Sequence, residues 1–518
     1  MARWKIALLG AAALIGGGIL YIVQVTELDL YVPLFAQHCA ECHGSDLRGT
    51  ETGIALIDAT LTGGDSVGEL IDSINRGNPS AGMPAFKGVL TDDEIKGLAI
   101  FVGEKRMGQR FTEFQFDRSL EIPSDIQQSE EHAFRIETVV ENLDPLIFSI
   151  EPMPDGAWLV SQKEKGLIIV SPDGSRSEPI AGTPETGGSL DIMGVQYGVG
   201  WLLDVALHPD YENNGWIYLH HTHLCGEACG DGVIPSSMNR LERGKIIDGR
   251  WVDVEVIWQA PTEFYNPSPD TGAGGRIAFD DTGHVFISTG IKHPNEGDET
   301  DTSPQDLDCP YGKIHRINDD GTIPADNPFV VSSEPGDSAV RQSIWNYGHR
   351  SPQGLEWNPI RRSVWNSEMG PRGGDELNEL KPGRNYGWPY HSLGMEYTGR
   401  PVERYKLKDV EFDTDTVEKT LVDITPSPAI SSFIFYDGRR FEGWKDNVLI
   451  GSLKGSDLFR MVFDGDQLVH RETLITDLAR IRDVEEGNDG LIYLLLENEA
   501  GSAIVRLVPA DVPQAAAL

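Results

Sequence analysis

The chain has little positive charge, few cysteines and, over most of its length, little helical periodicity. Its 518 residues hold 43 Lys and Arg against 81 Asp and Glu, a formal net charge of −38. Such a surface repels phosphate backbones and anionic headgroups, which argues against a nucleic-acid partner. Of five cysteines, two fall in one short motif near the N-terminus. Cys225 and Cys229, in "HLCGEACGD", either close a small disulfide loop in an oxidising compartment or remain loop thiols. The neighbouring His220, His221 and His223 end a strand-like run and lack the compact four-ligand spacing of a zinc site. With 39% apolar and 24% charged residues, the composition is that of a globular protein with room for two or three domains.

What is present begins with "MARWKIALLGAAALIGGGILYIVQVTELDL". Arg3 and Lys5 precede a mostly apolar run from Ile6 to Val25, roughly 30 Å of helix and enough to cross a bilayer. The run is long for a signal peptide and no small-x-small cleavage pattern follows, so an uncleaved inner-membrane anchor is expected over a cleaved signal. Either reading exports the chain.

Residues 38–44 read "HCAECHG". Cys-x-x-Cys-His is the attachment pattern of c-type haem, with Cys39 and Cys42 as thioether positions and His43 as an axial iron ligand. In "NPSAGMPAFKG", Met83 offers a thioether on a loop that its Gly and Pro residues keep from being helical. "LTDDEIKGLAIFVGEKR" then carries a capping pair, Thr91 and Glu94, ahead of an expected amphipathic helix. From Leu34 to Arg106 this order resembles class I cytochrome c, which implies haem c and assembly in the bacterial periplasm. The stretch that follows has few large apolar clusters and reads as a linker.

From Phe134 onward one pattern recurs: alternating apolar residues, a turn, then a second alternating run. It occurs in "LIFSIEPMPDGAWLVS", "LLDVALHPDYENNGWIYLHH", "GRIAFDDTGHVFISTG", "PQGLEWNPIRRSVWNSE", "SSFIFYDGRRFEGWKDNVLIGSL" and "IRDVEEGNDGLIYLLLE", with Asp-Gly, Asn-Gly and Thr-Gly at several of the turns. Widely spaced hairpins of this kind fit a six-bladed β-propeller. The expected fold is multidomain: an N-terminal transmembrane helix (1–30), a small all-α cytochrome c domain (31–108), a linker (109–133), a large all-β propeller (134–510) and a tail (511–518). Residues before the first strand and after the second of each hairpin lie together, opposite the turn. By that rule Arg276, Arg350, Glu368, Lys454, Arg480 and Arg482 gather at one mouth. In so acidic a chain this suggests an anionic ligand, although arginines satisfying carbonyls and blade-to-blade ion pairs would look the same.

Six blocks in order, "WLLDVALHPDY", "GKIHRINDDGTIPADNPF", "YGHRSPQGLEWNP", "EMGPRGGDELNELKPGRNYGWP", "GSLKGSDLFRM" and "RIRDV", resemble the soluble glucose and aldose sugar dehydrogenase family. That resemblance implies a six-bladed propeller using pyrroloquinoline quinone (PQQ) and Ca²⁺. It implies Arg350, Lys454, Arg480 and Arg482 as PQQ contacts. It also implies a calcium site at the Gly370 and Pro371 carbonyls, with Asp375 and Glu376 nearby. The sequence departs from the family where sugar is handled. Gly272 stands at the usual general-base histidine, Val199 at a glutamine, Ile291 at an aspartate and Ser351 at an asparagine. Asp270, His221, His223 and His293 are candidate replacement bases.

The resemblance and motifs together imply a periplasmic dehydrogenase that oxidises a sugar or related alcohol and reduces its own haem. An external cytochrome, quinone or oxidase would then take the electrons. The alternatives are a propeller that binds ligand without turnover beside a separate electron-relay cytochrome, and a metal-assisted hydrolase or lactonase.

Overall fold

The structure, a computed structural model, describes residues 29–108, 116–192, 195–226, 235–292, 302–331, 338–403, 406 and 410–510. Most of the expected membrane anchor, Cys229, His293 and the tail lie outside those residues. Among the described residues no helix is long and apolar enough to cross a membrane.

The N-terminal domain holds four helices: α1 (Tyr31–His38), α2 (Ala40–His43), α3 (Val67–Arg76) and α4 (Asp92–Arg106). The capping pair forms as a reciprocal box: Glu94 N–H donates to Thr91 Oγ1 at 3.2 Å, and Thr91 N–H donates to Glu94 Oε2 at 2.8 Å. α4 is not amphipathic in its setting. Ile95 and Gly97–Glu104 are all buried, because one side packs on its own domain and the other on the propeller.

Six blades follow, with a separate two-stranded sheet of Ser189–Ile192 and Val195–Gly198, and the six hairpins read from the sequence are the two innermost strands of each blade. The hairpins begin at Ile147–Pro152, Leu202–Leu207, Gly274–Phe279, Pro352–Asn358, Ile430–Phe435 and Arg480–Glu486. These six first strands pack side by side in a closed ring, each against its neighbours and the last against the first. Apolar residues fill the wedge between adjacent sheets. Trp365 of the fourth blade, for example, clusters with Phe433, Ile450 and Phe459 of the fifth. The ring is closed by hydrogen bonds: the early strand Ala133–Leu143 pairs antiparallel with the final strand Ser502–Pro509 inside the sixth blade. The end of the chain is thereby tied to the start of the propeller.

The linker differs from its expectation. Gln127–Gln128 already pairs with Ala133 and Phe134. Phe116 is buried and Leu120 and Ile122 pack on the propeller core, so widely spaced apolar residues suffice to hold this segment on the surface.

Inside the ring, Arg276 bridges Asp204 at 3.3 Å and Asp483 at 2.8 Å, and donates to the Gln353 carbonyl at 2.8 Å. Its expected place at the ligand mouth is therefore corrected: it is spent on blade-to-blade ties within the channel. Glu151, Glu356 and Glu485 line the same channel. Desolvation, reinforced by mutual repulsion, pushes Glu151 up to about 8 and Glu356 and Glu485 well above the glutamate range. The folded state therefore keeps protons that the unfolded chain loses near pH 4.5. Stability falls as pH rises from there through about 8. Glu356→Gln is expected to raise the thermal midpoint at pH 8 and leave it near wild type at pH 5. Equal shifts at both pH values would contradict this.

Candidate cofactor sites

Cys39 is the junction between α1 and α2 and Cys42 lies within α2, and neither is in a disulfide. His43 Nδ1 lies 2.8 Å from the Ile54 carbonyl. A carbonyl only accepts, so Nδ1 carries the proton and the Nε2 lone pair is left as the ligand atom. Met83 is held by paired backbone bonds, Asn78 N–H to Met83 O at 2.9 Å and Met83 N–H to Asn78 O at 3.0 Å. The loop closes tightly on Gly77, where a Cβ would lie 2.4 Å from the Pro84 oxygen. Met83, Cys39, Leu56, Ile57, Leu61 and Ile74 are partly buried against the domain core. A thioether, an oriented imidazole and an apolar cradle fit haem c.

At the propeller's open end, the starts of first strands meet the ends of second strands. Glu497, ending Ile492–Glu497, receives Arg482 Nε at 2.8 Å, Arg480 Nε at 3.1 Å and Lys163 Nζ at 3.0 Å. Burial would raise its carboxyl, but Arg482, Lys163 and Arg480 together hold it well below the usual range. Burial also draws Lys163 down to about 8. Three cations thus surround one anion, and the surplus is positive. Arg482 Nη1 reaches Gln353 Oε1 at 3.2 Å, which links this group to the fourth blade and Arg350. Arg350 donates to the Met369 and Gly370 carbonyls at 3.1 and 3.2 Å and stands over Trp388. Its Nε is buried without a hydrogen-bond partner. Lys454, nearly buried, acts on Asp375 by charge. A surplus of guanidinium and ammonium groups, with one buried donor still unpaired, fits a multiply anionic ligand such as PQQ.

Asp375 is occupied structurally. Its two oxygens accept from Gly370 N–H and Ile430 N–H, each at 3.0 Å. Burial and the neighbouring Glu368 push Glu376 up to about 8, and Pro371 is buried in the loop 369–374. The Met369 and Gly370 oxygens already converge on a guanidinium, so this loop presents oxygen to a cation. A divalent ion would also relieve the crowded carboxylates.

The candidate bases separate clearly. Asp270 is 3% exposed and ion-paired with the fully buried Lys292 at 2.8 Å. It also accepts from Trp201 N–H at 3.1 Å, Ser237 Oγ at 3.2 Å and the Thr222 hydroxyl. With its lone pairs taken, Asp270 is a structural anion, and the expectation that it replaces the base is corrected. His221 is buried 3.4 Å from Glu242. His223 is half-buried with Nδ1 3.0 Å from Tyr265 Oη, and burial together with Arg240 draws it down to about 4. His220 is fully buried against Asn239. Cys225 is disulfide-bonded. Gly272 lies buried in the turn Asp270–Gly272, with Val199 and Ile291 also buried.

Lys163, Lys292 and Glu497 were not singled out from the sequence. The hairpin rule that gave Lys454 reaches all three, since each ends or follows a second strand: Trp158–Gln162, His284–Thr289 and Ile492–Glu497.

The glucose/sorbosone dehydrogenase family model matches residues 144–506, and the model of the cbb3-type cytochrome c oxidase subunit III matches 30–102. An aldose sugar dehydrogenase of Escherichia coli is 34% identical over 336 residues, 63% of this chain and 80% of its own length. Cytochrome c6 of Leptolyngbya boryana is 35% identical over 75 residues, 14% of this chain and 85% of its own. Among solved structures, a glucose dehydrogenase superposes with a TM-score of 0.61 at 32% identity, covering 73% of this chain and 99% of that one. The apo aldose sugar dehydrogenase of Escherichia coli gives 0.60 at 30%, covering 73% and 100%. With the cationic mouth and the haem cradle both in place, this chain belongs to the glucose/sorbosone dehydrogenase family of quinoprotein oxidoreductases and carries an N-terminal cytochrome c domain.

Proposed function

We propose that the protein is an exported PQQ- and Ca²⁺-dependent dehydrogenase that oxidises a sugar or related alcohol and passes the electrons to its own c-type haem, and from there to an external carrier. The observation that carries this reading is the convergence of Lys163, Arg350, Lys454, Arg480 and Arg482 at one mouth of a chain with net charge −38. Arg480, Arg482 and Lys163 would hold cofactor carboxylates, and the Gly370 and Pro371 carbonyls with Glu376 would hold the calcium ion. Bound PQQ supplies a hydride acceptor, and calcium polarises it. Residues 1–30 would anchor the chain to the inner membrane, supported by the Arg3/Lys5 flank and the length of the apolar run.

The protein loaded with PQQ and Ca²⁺ is expected to reduce its own haem band when given aldoses or alcohols. A panel in which substrate changes while the haem stays oxidised would favour a hydrolase and sink this reading. A desolvated charge-assisted contact contributes about 1.5–3 kcal/mol, so Arg482→Ala should weaken PQQ binding at least roughly tenfold by titration calorimetry. Unchanged affinity would remove Arg482 from the site. Met83→Ala should abolish the sulfur-to-iron absorption band and lower the haem potential.

With Asp270 engaged, His221 and His223 remain the described candidates for the base. If His223 accepts the proton, kcat/KM should rise with pH through about 4 and stay level above it. His223→Ala should then remove that acidic limb and cost roughly 10²–10⁴ in rate. A wild-type profile in that variant would shift the role to His221.

A further inference from the structure

The loop 369–374 has two faces. On one, Met369 and Gly370 meet Arg350 at the cationic mouth. On the other, Arg372 leaves the propeller altogether. Its side chain is fully buried, with Nε and Nη2 on Glu104 at 3.1 and 2.8 Å and Nη1 and Nη2 on Asp29 at 3.1 and 2.9 Å. The guanidinium also stands 5.8 Å from the Tyr31 ring. Asp29 precedes α1 and Glu104 lies in the last turn of α4, so one arginine fork joins both ends of the haem domain. The loop itself is fixed, since Arg372 and Met395 exchange backbone hydrogen bonds at 3.1 and 3.0 Å.

The surrounding contact is apolar and close. Along α4 the residues at positions 96, 100, 103 and 104 form one face. Lys96 Nζ donates to Gly394 O at 3.2 Å, and Ile100 lies against Gly373. Gly103 is so near Pro426 that a Cβ there would sit 2.7 Å from its Cγ. Tyr31 Oη donates to Gly399 O at 2.6 Å, and Met395 is part of the haem domain's core. The apolar, close-packed seam is that of a lasting interface, and opening it would separate the buried Arg372 from both of its carboxylates.

We propose that Arg372 is a positioning residue that locks the haem domain onto the outer face of the loop that borders the cationic mouth, so that internal electron transfer takes place across a docked interface and not by diffusion on a tether. The proposal rests on the dehydrogenase reading given above. Oxidation of one sugar releases two electrons and two protons. A single iron accepts one electron at a time, so an external one-electron oxidant such as ferricyanide must empty it between the two, while the protons leave to solvent. The internal step is unimolecular in either case, and fixed docking gives it one donor–acceptor geometry and so a single rate.

The test neutralises the haem-domain side of the lock with Asp29→Asn/Glu104→Gln and, separately, obstructs the seam with Gly103→Val. Stranding a buried arginine costs about 3–5 kcal/mol, enough to shift the docking equilibrium by at least about a hundredfold. In the full chain loaded with haem, PQQ and Ca²⁺, stopped-flow reduction of the internal haem should slow at least tenfold in both variants. Turnover with a phenazine dye that takes electrons directly, and the haem midpoint potential, should stay at wild type. Calorimetry without PQQ should show joint unfolding of the two domains in wild type and separate transitions in the variants. Wild-type internal reduction rates together with joint unfolding in both variants would overturn the proposal. If no sugar or alcohol drives the dye in any protein, the dehydrogenase reading has failed, and the calorimetric comparison still decides the docking.

Discussion

Closure of the ring governs everything else in the propeller. Pairing of Ala133–Leu143 with Ser502–Pro509 makes the sixth blade out of both ends of the domain, and the six first strands are then forced into one circle. Because each of them enters the circle from the same end, the residue just before it, and the residue just after its partner strand, face a common opening. Arg350, Lys454, Arg480 and Lys163 are far apart in sequence. Closure alone makes them neighbours.

A second constraint is electrostatic. Cations are scarce in this chain, and buried ones are costly unless paired. The fold answers in three ways. Arg276 is neutralised within the channel by Asp204 and Asp483. Arg372 is neutralised at the domain seam by Asp29 and Glu104. Around Glu497, by contrast, Arg480, Arg482 and Lys163 outnumber their partner. An arginine near a propeller axis is therefore not in itself a sign of ligand binding. What distinguishes the mouth is the local excess.

Much of this was legible in the sequence because it is written in local signals. Strand alternation and Asp-Gly or Asn-Gly turns mark the hairpins, and the turn glycines Gly156, Gly215 and Gly490 all adopt positive φ. Cys-x-x-Cys-His and the Thr91–Glu94 box are likewise short-range. The errors came from contacts that no short window contains. Arg276 was placed at the mouth because its strand position was right, whereas its partners lie on two other blades. Asp270 is a candidate base by its place two residues from Gly272, yet Lys292 and Thr222 come from separate segments to bury it and take its oxygens. The helix α4 carried an expectation of one wet face because a single domain would leave it wet. The second domain that covers that face enters more than 250 residues later, at Arg372 and Met395.

The departures from the family pattern form one connected region. Gly272 closes the turn that starts at Asp270, Ile291 precedes Lys292, and the backbone N–H of Trp201, two residues after Val199, donates to Asp270. Three of the altered positions thus border a single buried ion pair. Beside Gly272 this chain has an Asp270–Lys292 ion pair within the third blade, and the bonds that Asp270 accepts from Trp201, Thr222 and Ser237 fix it to the second. A charge pair buried on both sides cannot trade protons with substrate without stranding its partner, a cost of several kcal/mol. The strand Ile217–Leu224, which delivers Thr222 to Asp270, carries His221 and His223 at the same end, so these two imidazoles lie beside the ion pair rather than within it.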